Sequence, residues 1–355
     1  MKFSIVHLGH PLAALTVLQC VRFDAKALKT PAPIPWILWL RHYRIRWPHE
    51  TPNMTETGIP HISICIPTYR RPGMLSRCLD ALMIQKAEGF TYSIIVVDND
   101  PAQSARDSVQ HRIGSSSVDI VYMREEEPNI SRARNKAVAG AVGEYIAFID
   151  DDEIPESSWL LTLFESCRRF SADAVLGPVL PHYEEIPPEW LVKSGLCVRA
   201  SFATGTRLVN PRYLRTGNIL LRRILFEGLE VPFDPRLGRT GGEDVDALGR
   251  MVAAGWSFIW CDEARVYETV PVERQTLSYH LRRALIRGVT QADMEAFLSF
   301  GTIKSVIAVV LYSAALPFLF AMRYDLYVRY LVKCCDHLAK LFAHLGLRLA
   351  GERVS

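Results

Sequence analysis

Four apolar, β-branched runs follow one another in the first half of this 355-residue chain, and they constrain the fold more than any other feature. The runs are residues 61–67, 92–98, 118–123 and 144–150. Segments of helical composition separate or follow them, at residues 74–86, 102–113 and 131–142, with Ser131 as the expected N-cap of the third. Continuous apolar strands are typical of a parallel sheet covered by helices on both faces. The pattern predicts an α/β fold with an open, doubly wound, Rossmann-like and mostly parallel sheet.

Polar residues follow the carboxyl end of every one of these strands. They are Thr68 to Arg71, then Asp98 to Asp100, then the stretch PNISRARN, and finally Asp150 to Glu153. Taken alone, each of these polar stretches is explained by an ordinary solvated loop. Ligands of doubly wound sheets bind beyond the carboxyl ends of the strands, so all four together favour a binding site.

The last of these ends, in the stretch FIDDDE, places four acids in a row behind an apolar strand. A buried carboxylate is costly unless a positive charge lies beside it, so the stretch is either a solvated turn or a cation site. Hard cations such as Mg²⁺ and Mn²⁺ prefer carboxylate oxygens and often share their shell with substrate phosphates. The chain has no GxxxxGK[ST] or GxGxxG stretch, which disfavours the usual ATPase and dinucleotide-binding classes.

Five segments resemble, in order and at suitable spacing, the successive motifs of family 2 glycosyltransferases with the GT-A fold. They are ISICIPTYRRP, IIVVDND, NISRARNKAV, AFIDDDEIP and FDPRLGRTGGEDVDALGR, and the likeness covers about residues 62–288. Two further stretches, TGNILLRR and WCDEARVYETVPVERQTLSYHLRRALIRG, are similar to bacterial exopolysaccharide glycosyltransferases of the succinoglycan glucosyltransferase type. The resemblance implies a GT-A fold and an inverting transferase that uses a UDP-sugar, with UDP-glucose favoured.

The resemblance also implies which residues hold the nucleotide. Pro67, Tyr69 and Arg71 would hold it, with Tyr69 against the base. Asp98 would bind the uracil edge, because a carboxylate accepts a hydrogen bond from the ring N–H. The diphosphate would lie near a helix N-terminus, beside Arg132, Arg134 and Asn135.

The acid run corresponds to the DxD motif of the family. Asp150 and Asp151 would lie on the nucleotide-sugar, with Asp150 near the ribose. Asp152, together with Asp150, would bind a divalent cation, Mg²⁺ or Mn²⁺. The family more often has a third Asp where this chain has Glu153, which leaves open whether Glu153 reaches the metal or orders its waters.

The stretch TGGEDVDALGR supplies the candidate catalytic base. Glu243, Asp244 and Asp246 fall in the first turn of a predicted helix, where the helix dipole alone would favour acids. Beside a nucleotide-sugar site, Glu243 and Asp244 become candidate catalytic residues, and the family pattern selects Asp244 as the base. The expected reaction is a single displacement with inversion. The QxxRW element of processive synthases lacks both its Gln and its Trp here, which predicts a non-processive enzyme.

Two other function classes remain open at this stage. One is a membrane-bound protein that keeps an inactive transferase fold for binding. The other is a sugar nucleotidyltransferase, although IPTYRRP lacks the glycines of its usual signature near the first strand. The presence of Asp150, Asp152 and Asp244 argues against the inactive form.

An apolar, uncharged segment at residues 305–322 predicts a membrane attachment. An amphipathic stretch follows it, and residues 323–355 carry six Lys or Arg and three Asp or Glu, a net charge of +3. A buried helix hairpin is the alternative. We expect attachment to the cytoplasmic face of a bacterial inner membrane, by a re-entrant hairpin or one short span, where a lipid-linked or glycan acceptor would be met. The small overall net charge of +3 gives no reason to expect a nucleic-acid partner.

These patterns divide the chain into three parts. Residues 1–58 are expected to be a poorly ordered extension or the product of a misassigned start, with Met54 as a natural first residue. Residues 59–290 form the predicted GT-A domain, and residues 291–355 the membrane-associated helices. The eight cysteines show no paired spacing, which indicates reduced thiols in a cytosolic compartment.

Overall fold

The computed structural model describes residues 58–239 and 241–349, without the side chains of Asp293 and Met294. The expectation for the N-terminal extension therefore falls, apart from Gly58, outside the described residues. The unit Met54–Ser355 holds the elements described below.

The strands and helices alternate as the apolar runs predict. The strands are β1 His61–Thr68, β2 Thr91–Asp98, β3 Asp119–Arg124, β4 Tyr145–Phe148, β5 Glu153–Pro155, β6 Ala174–Leu176, β7 Val179–His182, β8 Ile219–Arg222, β9 Phe258–Trp260 and β10 Val266–Thr269. The α-helices are α1 Pro72–Leu82, α2 Arg106–Gln110, α3 Ile130–Gly140, α4 Trp159–Arg169, α5 Glu189–Ser194, α6 Glu243–Ala253, α7 Leu277–Met294, α8 Phe300–Met322 and α9 Tyr324–His344.

Seven strands form the central sheet in the order β3-β2-β1-β4-β8-β6-β9. The first four runs pair in parallel, as predicted, with β1 between β2 and β4. Strand β8 is the exception, because it runs antiparallel to both β4 and β6. A second sheet of three strands, β5-β10-β7, begins at Glu153, the last residue of the acid run, so the acids lie where the two sheets meet.

Both faces of the central sheet are covered at β1, β2 and β4, which is why these strands are mostly apolar, whereas the edge strand β3 is partly exposed. Alternate residues of β1 point to opposite sides: Ile62 and Ile64 pack with α1, α2 and α4, whereas Cys65 packs with α3 and α6. Each face thus has its own hydrophobic core. This is the doubly wound, GT-A-type arrangement that the sequence predicts, and the helices hold the loops at the carboxyl ends of β1, β2 and β4.

The N-cap predicted for α3 is wrong by two residues. Asn129, not Ser131, caps the helix: its side-chain oxygen accepts from the backbone N–H of Ser131 at 3.0 Å and of Arg132 at 3.3 Å. The Ser131 hydroxyl instead donates to the carbonyl of Asp234 at 2.8 Å, and the Asn129 amide donates to the carbonyl of Pro235. Asn129 is preferred because it both caps the helix and ties it to the segment that precedes α6.

Replacing this cap should destabilise the protein measurably. Asn129→Ala removes the acceptor of two helix N–H groups and the donor to Pro235, so we expect the free energy of unfolding to fall by about 1–2 kcal/mol. Urea unfolding monitored by circular dichroism measures the change. Asn129→Ser retains a capping oxygen and should lose less. Equal stability of Asn129→Ala and the native chain would contradict the capping role.

The three C-terminal helices form a layered unit. Helix α9 packs against α7 on one side and along the whole of α8 on the other. At Gly288 of α7 an added Cβ would lie 2.2 Å from the Asp336 carbonyl oxygen, so the two backbones are in close contact there. Helix α8 runs unbroken through Pro317 and is the one helix among the described residues that is long and apolar enough to cross a membrane, although only 11% of its apolar window is buried.

Candidate active site

The acid run occupies the turn between β4 and β5 and is largely buried. Asp151 accepts a hydrogen bond from the Thr68 hydroxyl at 2.7 Å, so it is directed toward the end of β1. Arg71, from the same loop, reaches Asp151 at 3.4 Å and Asp152 at 3.0 Å. The ends of β1 and β4 therefore meet through these ion pairs, as the sequence pattern predicts for neighbouring parallel strands.

Crowding of the acids changes their proton affinity. Burial, with the charges of Asp150 and Asp151, raises the pKa of Asp152 to about 7. Burial also raises the pKa of Asp151, against the opposing charge of Arg71, and raises that of Glu153 well above its usual range. These carboxyl groups therefore hold protons more readily than exposed acids do, and a cation bound among them would take the place of those protons.

The donor set suits a hard divalent cation. Its candidate ligands are carboxylate oxygens, and the Glu153 Oε1 atom is buried without a hydrogen-bond partner. Among residues 58–239 and 241–349, however, no three His, Cys, Asp or Glu side chains already converge in the manner of a metal site. Arg71 and Arg274, the latter 3.5 Å from Asp152, hold the carboxylate in the arrangement observed. The chemistry of the ligands fits the metal, while their geometry is not yet that of a closed coordination shell.

Arg134 joins the acid cluster to the start of α6. Its guanidinium is buried, lies 3.5 Å from Asp150 and forms a tight ion pair with Glu243. Burial lowers the pKa of Arg134, but the charges of Glu243, Asp150 and Asp244 outweigh this and raise it. Helix α3, the acid run after β4 and the start of α6 are far apart along the chain, and they meet at this one guanidinium.

The glycines before α6 permit this approach. Gly241 and Gly242 have φ values of 89° and 96°, in the left-handed region that favours glycine. They turn the chain directly into the first helical residue, Glu243. The predicted helix start is confirmed in position.

The three acids of this helix turn have different surroundings. Glu243 is buried against Arg134, and Asp246 pairs with Arg250 at 3.2 Å. Asp244 is partly exposed, and its Oδ1 atom accepts from the backbone N–H of Val245 at 2.8 Å. Within the described residues Asp244 is the member of the three that no cation neutralises at ion-pair distance.

The residues expected at the nucleotide lie on the β1 side. Pro67 is buried inside β1, opposite Val97 of β2, so it shapes the strand end through its backbone. Tyr69 is partly exposed, and the Arg70 guanidinium stacks over its ring at 4.9 Å. Arg70 has a left-handed backbone with φ of 54° and pairs with Asp100 at 3.2 Å. The loop thus carries a partly exposed aromatic ring and two cations, of which Arg71 contacts the acid run.

Asp98 is fully buried and already has partners for both carboxylate oxygens. Oδ1 accepts from the Asp100 N–H at 3.0 Å, and Oδ2 accepts from the Ala105 N–H and the Tyr122 hydroxyl, each at 2.9 Å. In this arrangement Asp98 holds the loop after β2. Because Asp98 is fully buried, a direct contact with a base requires the loop after β2 to move.

Only one of the three residues expected near the diphosphate lies at the acid cluster. Arg134 does, as described above. Arg132 is half-exposed and pairs with Glu127 at 2.9 Å. The Asn135 side-chain N–H donates to the carbonyl of Phe233 at 2.8 Å, and its amide oxygen accepts from the backbone N–H of Phe233 at 2.9 Å. Asn135 therefore fixes the segment before α6.

The sequence did not single out four residues that lie at or beside the acid run. They are Glu268, Arg274, Arg199 and Gly217. Glu268 of β10 binds Arg274 at 3.3 Å and also pairs with Arg199. An added Cβ on Gly217 would lie 2.6 Å from Glu153 Oε1 and 3.1 Å from Asp150 Oδ2, so this glycine allows the loop before β8 to pass over the acids. They come from a different sheet or from loops, and only the fold brings them to the acid run.

This combination defines a GT-A-type glycosyltransferase: a doubly wound sheet with an acid run after β4, an antiparallel β8 between β4 and β6, and a carboxylate-bearing helix start tied to the acid run by Arg134. The chain belongs to glycosyl transferase family 2. The family model matches residues 63–229. A Rhizobium meliloti protein named succinoglycan biosynthesis protein ExoM is 35% identical over 244 residues, which are 68% of this chain and 77% of that protein.

Other similarities cover less of the relative or are weaker. Poly(ribitol-phosphate) beta-glucosyltransferase of Bacillus spizizenii is 32% identical over 117 residues, 33% of this chain and only 18% of that much longer protein. Among solved structures, residues 1–349 of S. aureus TarS in complex with UDP align with a TM-score of 0.47 and 15% identity, covering 81% of this chain and 90% of that one.

Proposed function

We propose that this glycosyltransferase moves a hexose, with inversion, from a UDP-sugar to a glycan or lipid-linked acceptor during bacterial cell-surface polysaccharide synthesis. UDP-glucose is the favoured donor. The similarity to the succinoglycan protein supports the pathway class, and the named activity of the Bacillus relative supports a glucosyl donor. We further propose that the enzyme is non-processive, adding one sugar per encounter.

A single observation carries this proposal: Arg134 contacts both Asp150 of the acid run and Glu243 at the start of α6. One guanidinium reaches only a few ångströms, so the first turn of α6, which carries Asp244 next to Glu243, lies close to the acid run, and this supports a shared cleft. A base on one side and a diphosphate-binding cluster on the other are what a single displacement requires.

In the proposed reaction Asp244 accepts the proton of an acceptor hydroxyl. The hydroxyl oxygen forms a bond to the anomeric carbon from the face opposite the nucleotide, and the bond from that carbon to the diphosphate oxygen breaks with its electron pair on UDP. Because attack and departure occur on opposite faces, an α-linked donor gives a β-linkage. Glu243 keeps Arg134 in place and is a positioning residue, in contrast to the base Asp244.

Asp152 and Asp150 are the proposed ligands of a Mg²⁺ or Mn²⁺ ion, with Glu153 Oε1 beside them. When bound, such an ion supplies charge neutralisation of the diphosphate as a Lewis acid. Arg71 and Arg274 contact Asp152 directly, so we expect them to turn toward the diphosphate oxygens when a donor binds. Tyr69 is the proposed platform for the base.

The experiment that tests this function is a donor panel. UDP-glucose, UDP-galactose and their N-acetyl forms are incubated with full-length protein and Mn²⁺ or Mg²⁺, and UDP release is measured. We expect metal-dependent turnover of UDP-glucose, and loss of it in Asp152→Asn by on the order of 100-fold or more. Asp107→Asn, an exposed acid of α2, is the matched control and should retain native turnover. No turnover of any donor with either metal would favour a binding protein with an inactive transferase fold.

We propose further that α8 lies in the plane of a membrane leaflet and does not span it. Hydrogen bonds and ring contacts link α8 to α9 along the whole hairpin, from Thr302 with His344 to Phe320 with Tyr327. Helix α9 carries Arg329, Lys333 and Lys340 and is itself held by α7 through Arg287 and Asp336 at 3.5 Å. A spanning α8 would draw this charged partner into the bilayer, at a cost of several kcal/mol.

The outward face of α8 is apolar, with Val306, Val310 and Phe318 among its exposed side chains, as an in-plane helix requires. Val306→Glu with Val310→Glu should lower the fraction bound to phosphatidylglycerol vesicles in flotation by on the order of 10-fold, because two charges enter the apolar face. The control, Ile84→Glu with Val142→Glu, changes two exposed residues of the catalytic domain. Equal flotation of both double variants would place the membrane contact elsewhere.

A further inference from the structure

A cavity of about 260 Å³ opens beside the acid cluster and has no role in the function proposed so far. Its floor is formed by apolar or small residues, among them Leu176, Val179 and Trp260. Trp260 is 5% exposed, so the indole is fixed within the floor. A floor of this kind suits the apolar face of a sugar ring.

The rim of the cavity is cationic. Arg199, Arg212 and Arg215 all line it. Arg199 is paired with Glu268, but in the described part of the chain no carboxylate lies at ion-pair distance from Arg212 or Arg215. The Arg212 guanidinium lies 6.0 Å from the Tyr213 ring centroid, and Arg215 donates to the carbonyl of Leu214. Two arginines therefore line the cavity without a carboxylate partner among the described residues.

Gly217 connects this cavity with the acid cluster. It lines the cavity, and a Cβ added to it would lie 2.6 Å from Glu153 Oε1 and 3.1 Å from Asp150 Oδ2. Glu153 Oε1 is the buried oxygen without a hydrogen-bond partner. A molecule in the cavity thus lies one residue away from the carboxylates that we assign to the donor.

We infer that this cavity is an acceptor subsite for a saccharide that carries an oxyanion, a phosphate or a carboxylate. This inference rests on the proposed function. Two unpaired guanidiniums strongly favour an anion over a neutral sugar, because each forms charge-assisted and often bidentate hydrogen bonds to phosphate or carboxylate oxygens. The Trp260 floor and the exposed Tyr213 ring contact the sugar itself.

The position of Arg199 agrees with an acceptor that comes from the membrane side. Arg199 follows α5 by five residues, and Trp190 of α5 packs with Val328 and Val332 of α9. The segment that carries the cavity rim is therefore anchored on the same helix hairpin whose outer face we assign to the leaflet. A phosphate near that surface and a uronic acid further along a glycan are the two sources of the anion.

Binding measurements separate these sources. The full-length protein in detergent is saturated with UDP and Mn²⁺ to fill the donor site, and the affinity for galactose 1-phosphate, glucuronic acid and methyl β-galactoside is measured by titration calorimetry. We expect at least one anionic sugar to bind about 10-fold or more tightly than the neutral one. Preference for the phosphate indicates a phosphorylated acceptor end, and preference for the carboxylate indicates an acidic sugar.

The variants test whether the rim is responsible. Arg212→Ala with Arg215→Ala should remove the preference for the anion, whereas Arg169→Ala, an exposed arginine of α4 outside the cavity, should keep it. Hydrolysis of UDP-glucose is measured in parallel and should be native in the double variant, so a failure of the subsite is distinct from a failure of the transferase proposal. Equal affinities for charged and neutral sugars, or an unchanged preference in the double variant, would overturn the inference.

Discussion

Asp244→Asn should lower the rate of sugar transfer by about 10²–10⁴-fold while the affinity for UDP stays unchanged. The amide has the same shape and still accepts the hydrogen bond from the Val245 N–H, but it cannot take up the acceptor proton. Initial rates of transfer and calorimetric titration with UDP measure the two quantities separately. A loss in rate without a loss in donor affinity is the signature of a base.

The two neighbouring acids provide matched controls. Asp246→Asn changes the same helix turn, but Asp246 is paired with Arg250, so we expect transfer close to the native rate. Glu243→Gln should lower stability together with activity, because it weakens the buried contact with Arg134. Near-native transfer by Asp244→Asn, or a larger loss in Asp246→Asn, would move the base to another residue.

Arg134→Met should lower the free energy of unfolding by about 3–5 kcal/mol, because it leaves Glu243 buried without its cation. Asp150 loses its contact at the same time. Urea unfolding measures the effect. The variant should also lose transfer activity at temperatures where it is still folded, since the start of α6 is no longer tied to the acid run.

Arg132→Met is the control for this substitution. It lies two residues away on the same helix, is half-exposed and pairs with the similarly exposed Glu127, so we expect a change of less than about 1 kcal/mol. Combining Arg134→Met with Glu243→Met should recover part of the lost stability, because no unpaired buried charge then remains at that position. A single variant as stable as the native chain would mean that Arg134 does not hold the two segments together.

The sequence predicts the sheet well because the physical signals are local. Continuous runs of Ile and Val identified β1 to β4 to within a few residues, and the acid run marked the end of β4. The helix after the second run is much shorter than expected, Arg106–Gln110. Local composition does not reveal that the Asp98 carboxylate binds the N–H of Ala105 and so shapes the loop before it.

The site was predicted only in outline, because its contacts join segments far apart in the chain. The family resemblance selected Asp152 and Asp244 as candidates, but nothing local distinguishes Arg134, which bridges the acid run and α6, from Arg132, which does not. The same holds for Arg274, which reaches Asp152 from beyond β10. Asn135 was expected at the diphosphate, yet its side-chain amide forms a hydrogen bond with the Phe233 backbone.

The most direct measurement is a crystal structure with UDP and Mn²⁺ bound. We expect the ion at Asp152, the diphosphate between the acid run and the first turn of α6, and the uracil against Tyr69, with the Asp244 carboxylate facing the vacant sugar position. A nucleotide bound away from this cleft, or an Asp244 carboxylate directed away from the ion and the diphosphate, would contradict this expectation.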